Sequence, residues 1–168
     1  AYRLPIHTAW YKATTGHNAI LVDGSSQKEA EGKPLAFAAN ESYSAISADA
    51  GPAFANVAHR RFLLLSTTYL LVVDELSATD GQEHTFDWLY HNKGQNIQCA
   101  LPVSGAKLGE SPSGYAYLKD VAAFRVEKEQ PVNLDISGDK VTTKVTCIGK
   151  PGDEVFTATG PLSSISDR

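Results

Sequence analysis

Methionine is absent from this chain, cysteine occurs twice and tryptophan twice. Two thiols, Cys99 and Cys147, cannot form a zinc framework by themselves. They can pair or stay apart as small core residues, and the sequence leaves both open. No basic run exceeds Arg60-Arg61, and net charge is -4, so a surface that tracks phosphates is not expected. No apolar stretch reaches the ~18–20 residues that span a bilayer. Neither nucleic acid nor membrane is therefore an expected partner. No Gly-rich phosphate loop and no G-x-S-x-G elbow is present. No window shows a sustained helical stripe. The N-terminus, Ala1-Tyr2-Arg3-Leu4-Pro5, lacks the basic start and apolar core of a signal peptide.

What is present is a chain of 168 residues, 42% hydrophobic and 20% charged, which suits one globular domain over residues 1–168. Its periodicity is that of strands. Val132, Leu134 and Ile136 alternate with polar residues, Ser137-Gly138-Asp139 turns, and Val141, Thr143, Val145 and Cys147 alternate again. Arg61–Leu65 and Tyr69–Val73 flank Ser66-Thr67-Thr68, the spacing of a second hairpin. Ala19–Val22, Leu35–Ala39, Tyr43–Ala48, Thr85–Tyr90, Ile97–Val103, Tyr115–Leu118, Ala122–Val126 and Val155–Thr157 complete about a dozen short segments. The expected fold is all-β, an antiparallel β-sandwich. Gln27–Glu31 has room for one polar helical turn, and a Ser-rich tail follows Gly160-Pro161.

Five histidines carry most of the chemical interest. His17 and His59 each stand directly before a strand, where a sheet holds a ring still. Two imidazoles and a carboxylate suit a divalent, zinc-type ion. The plain alternative is two strand-end rings bonded to backbone or water. His84 and His91 flank the aromatic run Phe86, Trp88, Tyr90. Asp87 and His91 lie roughly 13 Å apart along an extended strand, too far for a hydrogen-bonded dyad. The aromatic face can stack sugar rings or simply be core. Trp10 and Tyr11 can line a cleft or pack along an edge.

One stretch is more specific. Thr14-Thr15-Gly16-His17-Asn18-Ala19-Ile20-Leu21-Val22-Asp23-Gly24 with Gln27 resembles a segment of the heparinase II/III-like polysaccharide lyases. His59-Arg60-Arg61 and its strand, Tyr69 to Leu76, and the aromatic strand ending at His91 follow in the order of that family's sheet domain. The resemblance runs from about Tyr11 to Gly94. It implies a sheet domain that accompanies an α/α toroid in a larger lyase, so this chain is expected to be a piece of one. It implies β-elimination on acidic, uronic-acid polysaccharides, and with that substrate a periplasmic or secreted home. It implies a divalent metal, zinc with calcium or manganese as alternatives, held by His17, His59 and an acidic residue between them. Asp49 is the choice over Glu41. Trp10, Tyr11, Asn18, Trp88 and His91 are the expected sugar contacts. Some members carry a catalytic His where Thr15 stands, and a Tyr where Phe54 stands. No catalytic residue is thus assigned, and the chain alone is expected to be inactive. A non-catalytic carbohydrate-binding module and a structural packing module are the competing readings.

Overall fold

The computed structural model describes residues 6–109 and 113–161. The Ser-rich tail beyond Pro161 and the first five residues lie outside them. The described residues form eleven strands in four antiparallel sheets, the make-up expected of a β-sandwich. They gather into two compact units, Ala19–Leu89 and the remainder of the chain, Ala1–Asn18 with Tyr90–Arg168.

In the unit Ala19–Leu89, β1 (Ile20–Val22) is buried at every position. Asp23 and Gly24 then reverse the chain with φ of 51° and 64°, a region an aspartate tolerates and a glycine favours. β2 (Lys33–Ala39), β3 (Tyr43–Asp49), β4 (Val57–Ser66) and β5 (Leu70–Ala78) form a four-stranded meander. The hairpin at Ser66-Thr67-Thr68 sits where its residues place it, closed by Ser66 N–H on the Tyr69 carbonyl at 2.9 Å. β6 (Phe86–Trp88) pairs with β1. Ile20, Val22, Ala53, Phe54 and Val57 make the local core.

In the other unit, β9 (Gln130–Ser137) and β10 (Thr142–Gly149) form the expected alternating hairpin, and β7 (Asn96–Cys99) joins β9 on its other side. Val132 and Ile136 are its buried positions. β8 (Lys119–Arg125) pairs with β11 (Glu154–Thr159). Because β9 lies between β7 and β10, Cys99 and Cys147 are two strand spacings apart, about 10 Å. A disulfide needs Cα atoms within roughly 7 Å, so the thiols stay free.

Three segments differ from expectation. Gln27–Glu31 is not helical, because Lys28 N–H is drawn to the Ala53 carbonyl and the segment runs irregularly. Tyr115–Leu118 is not a strand; Ser113–Tyr117 forms a 3-10 turn that brings Gly114 against Thr15. The Ile97–Val103 strand stops at Cys99, ahead of Pro102, which has no N–H to give a ladder, and Val103 keeps one isolated bridge to Phe124.

Candidate functional site

The motif segment folds as two short turns. A π-turn spans His7–Tyr11, and a 3-10 turn spans Thr14–Gly16. Ala13 N–H closes on the Trp10 carbonyl at 3.1 Å and His17 N–H on the Thr14 carbonyl at 3.1 Å. Gly16 is required here: a Cβ would sit 2.5 Å from the Trp10 carbonyl oxygen.

These turns set His17 and Asn18 at an exposed corner that His91 locks. The His91 backbone N–H donates to Asn18 Oδ1 at 2.6 Å, and its ring Nε2 lies 2.9 Å from the Thr15 carbonyl. Trp10 meets the His91 ring edge-on, with centroids 5.7 Å apart and planes at 82°. A carbonyl oxygen can only accept, so His91 carries its proton on Nε2 and Nδ1 is the basic atom. The same holds for His17, whose Nε2 is 3.2 Å from the Tyr11 carbonyl. Burial holds the His91 ring below the ordinary histidine range; the Thr15 carbonyl opposes this, and the nearby His17 adds to it. Thr15 Oγ1 is buried with no hydrogen-bond partner. Trp10 is only 4% exposed, so its ring offers no open face for a sugar, whereas Tyr11 is exposed.

The second unit holds His59, Asp49 and Trp88. His59 is 5% exposed, and its Nε2 lies 2.7 Å from Asp74 Oδ1. Asp74 also takes Arg61 Nε at 2.6 Å and Nη2 at 3.0 Å. Burial opposes the charge on Asp74, yet the hydrogen bonds from His59 and Arg61 outweigh it and bring its pKa down to about 2. Asp49 is committed elsewhere: one oxygen accepts Gly51 N–H at 2.8 Å, the other Arg60 Nε at 3.3 Å. Asp49 pairs with Arg60 across the sheet, while His59 shares its face with Arg61 and Asp74. Asp49 and His59 therefore project from opposite faces and cannot grip one ion. Among the described residues no group of three or more His, Cys, Asp or Glu is gathered for a metal. With Asp49 and His59 on opposite faces, the expected set of His17, Asp49 and His59 does not fit a metal centre. Trp88 stands 44% exposed on β6.

Sequence reasoning missed Asp74 and Arg61 as the partners of His59. The signal was available: a hairpin closed at Ser66–Tyr69 puts Asp74 directly opposite Arg61, and Arg61 shares a face with His59.

The heparinase II/III-like C-terminal family matches residues 1–149. The chain belongs to that family. Its match covers the His17-Asn18 corner, the His59 strand and His91, and continues through the β9–β10 hairpin, well past the segment that resembled the family in the sequence. Among curated proteins, none gives a match. Family membership makes this a polysaccharide lyase-related β domain.

Proposed function

We propose that this domain forms one wall of the sugar cleft of a lyase that cleaves uronic-acid polysaccharides by β-elimination. The observation that carries the reading is the corner where His91 fixes Asn18 and Thr15 beside His17, inside the segment matched by the family. β-Elimination needs a base for the proton α to the carboxylate, an acid for the leaving oxygen, and donors that take up charge on the carboxylate. His17, Asn18 and the exposed Tyr11 offer polar contacts of that kind on one small surface. The base and acid come from the α/α toroid that the family resemblance implies, so the domain alone positions substrate without turning it over. Such substrates are met outside the cytoplasm, and a periplasmic or secreted home belongs to this proposal.

The test has two readouts on the purified chain. Oligouronate added to labelled protein shifts the NMR signals of Asn18 and His91, and absorbance of unsaturated uronate stays at baseline. Shifts absent from this corner at millimolar ligand overturn the cleft-wall reading. Turnover by the chain alone overturns the division of labour. The exposure of Trp88 favours a second reading, a stacking platform for sugar. Shifts confined to Trp88, abolished in Trp88→Ala, would favour it.

A further inference from the structure

A second cluster of ionisable groups outside that corner lies where β1 ends and β6 begins. His84, whose side chain is 8% exposed, is held between two carboxylates. Its Nδ1 is 2.6 Å from Asp23 Oδ2, and its Nε2 is 3.1 Å from Asp80 Oδ1. Asp23 sits in the left-handed turn after β1, and its other oxygen accepts the Thr85 N–H at 2.9 Å and the Thr85 hydroxyl at 3.3 Å. Asp23 N–H returns to the Thr85 carbonyl at 2.9 Å. Asp80 belongs to the loop that follows β5, and the same oxygen takes Gln82 N–H at 3.0 Å. One ring thus ties together the end of β1, the loop after β5 and the start of β6.

An ionised carboxylate only accepts, so both ring nitrogens must carry hydrogen for both bonds to exist. That is the imidazolium form. We propose that Asp23–His84–Asp80 is a proton-operated latch on the β1–β6 pair: closed while the ring holds two protons, and opened on the Asp80 side when one leaves to water. The shorter bond to Asp23 keeps the remaining proton on Nδ1. The Nε2 lone pair then faces the Asp80 carboxylate, and the two repel. β1 and β6 are joined by only three residue pairs, so the bridge is a substantial part of what fixes the β6 start. The charged groups that face the ring are Asp23, from the β1 turn, and Asp80, from the loop after β5; Phe86 lies beside it, with ring centroids 6.5 Å apart, and carries no charge. Hydrogen bonds to Asp23 and then Asp80 raise the ring's proton affinity above the ordinary histidine value, and partial burial opposes them. The latch thus opens at a higher pH than the one at which an ordinary histidine loses its proton. It does not depend on the lyase reading.

Imidazole 15N NMR of the full chain between pH 5.5 and 9.5, with amide hydrogen exchange at Thr85 and Gln82, tests it. The expected result is a doubly protonated His84 at the acid end of this range and a midpoint above about 6.5. Protection at Gln82 falls as pH passes that midpoint, beyond the intrinsic rise in exchange. Asp80→Asn lowers the midpoint, and His84→Asn makes protection independent of the transition. A midpoint at or below about 6.5 overturns the proposal. So does protection at Gln82 that stays flat through the midpoint, or that falls identically in His84→Asn. If His84→Asn fails to fold, the Asp80→Asn midpoint decides alone: an unchanged value sinks the latch.

Discussion

Replacing Asp74 by Asn tests the energetics of the His59–Asp74–Arg61 cluster. The Asp74 carboxyl is depressed from 3.8 to about 2 in the folded chain. At about 1.4 kcal/mol per unit, that difference is worth about 2.5 kcal/mol before screening. Arg61 is a quarter exposed, so water weakens its arm of the cluster and leaves roughly 1–2 kcal/mol. The sign follows from the depressed value. The contribution is fully present above pH 3.8 and disappears as pH falls through about 2, where the folded form also protonates. At pH 7 the substitution also removes the negative charge opposite the Arg61 guanidinium and weakens the acceptor for His59 Nε2–H. Losing one partner of a mostly buried pair brings the expected cost to about 2–4 kcal/mol. Urea unfolding at pH 7, 5, 4 and 3 for both proteins measures it. Other depressed carboxylates, Asp23, Asp49, Asp80 and Glu154, titrate alike in both, so the difference between the curves isolates Asp74. A gap at pH 7 below about 0.5 kcal/mol, the range of ordinary surface changes, would refute the cluster as drawn. So would a gap that fails to narrow toward pH 3.

Gly16→Ala forces a Cβ against the Trp10 carbonyl, a backbone atom that cannot swing away, and should cost about 1–3 kcal/mol in thermal or urea unfolding. An unchanged melting curve would show that the turn does not approach Trp10 so closely. Thiol titration of denatured, unreduced protein should find both Cys99 and Cys147 reactive. In the folded state Cys147 should react slowly at neutral pH, because burial, then Asp153 and Cys99, holds its thiol above the ordinary range. A disulfide-linked pair would contradict the β10-β9-β7 order.

The strands were legible where alternation and a turn agreed, as in β9–β10 and in the β4–β5 hairpin. Both depend on local rules that a single sequence states fully. The failures share a different cause. Tyr115–Leu118 has strand-like residues, but Gly114 must pack on Thr15, a residue a hundred positions away, and that contact sets the local turn. Gln27–Glu31 has helix-forming residues and no apolar stripe, so nothing opposes the pull of Lys28 N–H toward Ala53. The site was half legible for the same reason. His17, Asn18 and His91 could be singled out by residue type and motif. That His91 reaches Thr15 and Asn18 depends on a loop crossing that no spacing encodes. Asp49 was a plausible ligand by order, and only strand register shows that it leaves the sheet on the face opposite to His59.

The four histidines whose ring contacts are described divide by the kind of oxygen they meet, and this division decides what each can do. His59 and His84 face carboxylates, which reward a proton-bearing nitrogen and hold the ring as part of an ionic cluster. His17 and His91 face backbone carbonyls, which fix the tautomer without adding charge. In its neutral form a ring held in that way keeps Nδ1 as a lone-pair atom, suited to an approaching proton, hydroxyl or cation. Burial and the neighbouring His17 further disfavour the cationic form of His91, so it is neutral at pH 7. Under the proposed cleft reading, polar contact with a sugar carboxylate falls to the carbonyl-bound pair, while the carboxylate-bound pair ties its own strands together. The proposed cleft at the His17–His91 corner is thus supported by which acceptor each ring has, and not only by the motif that first drew attention to His17.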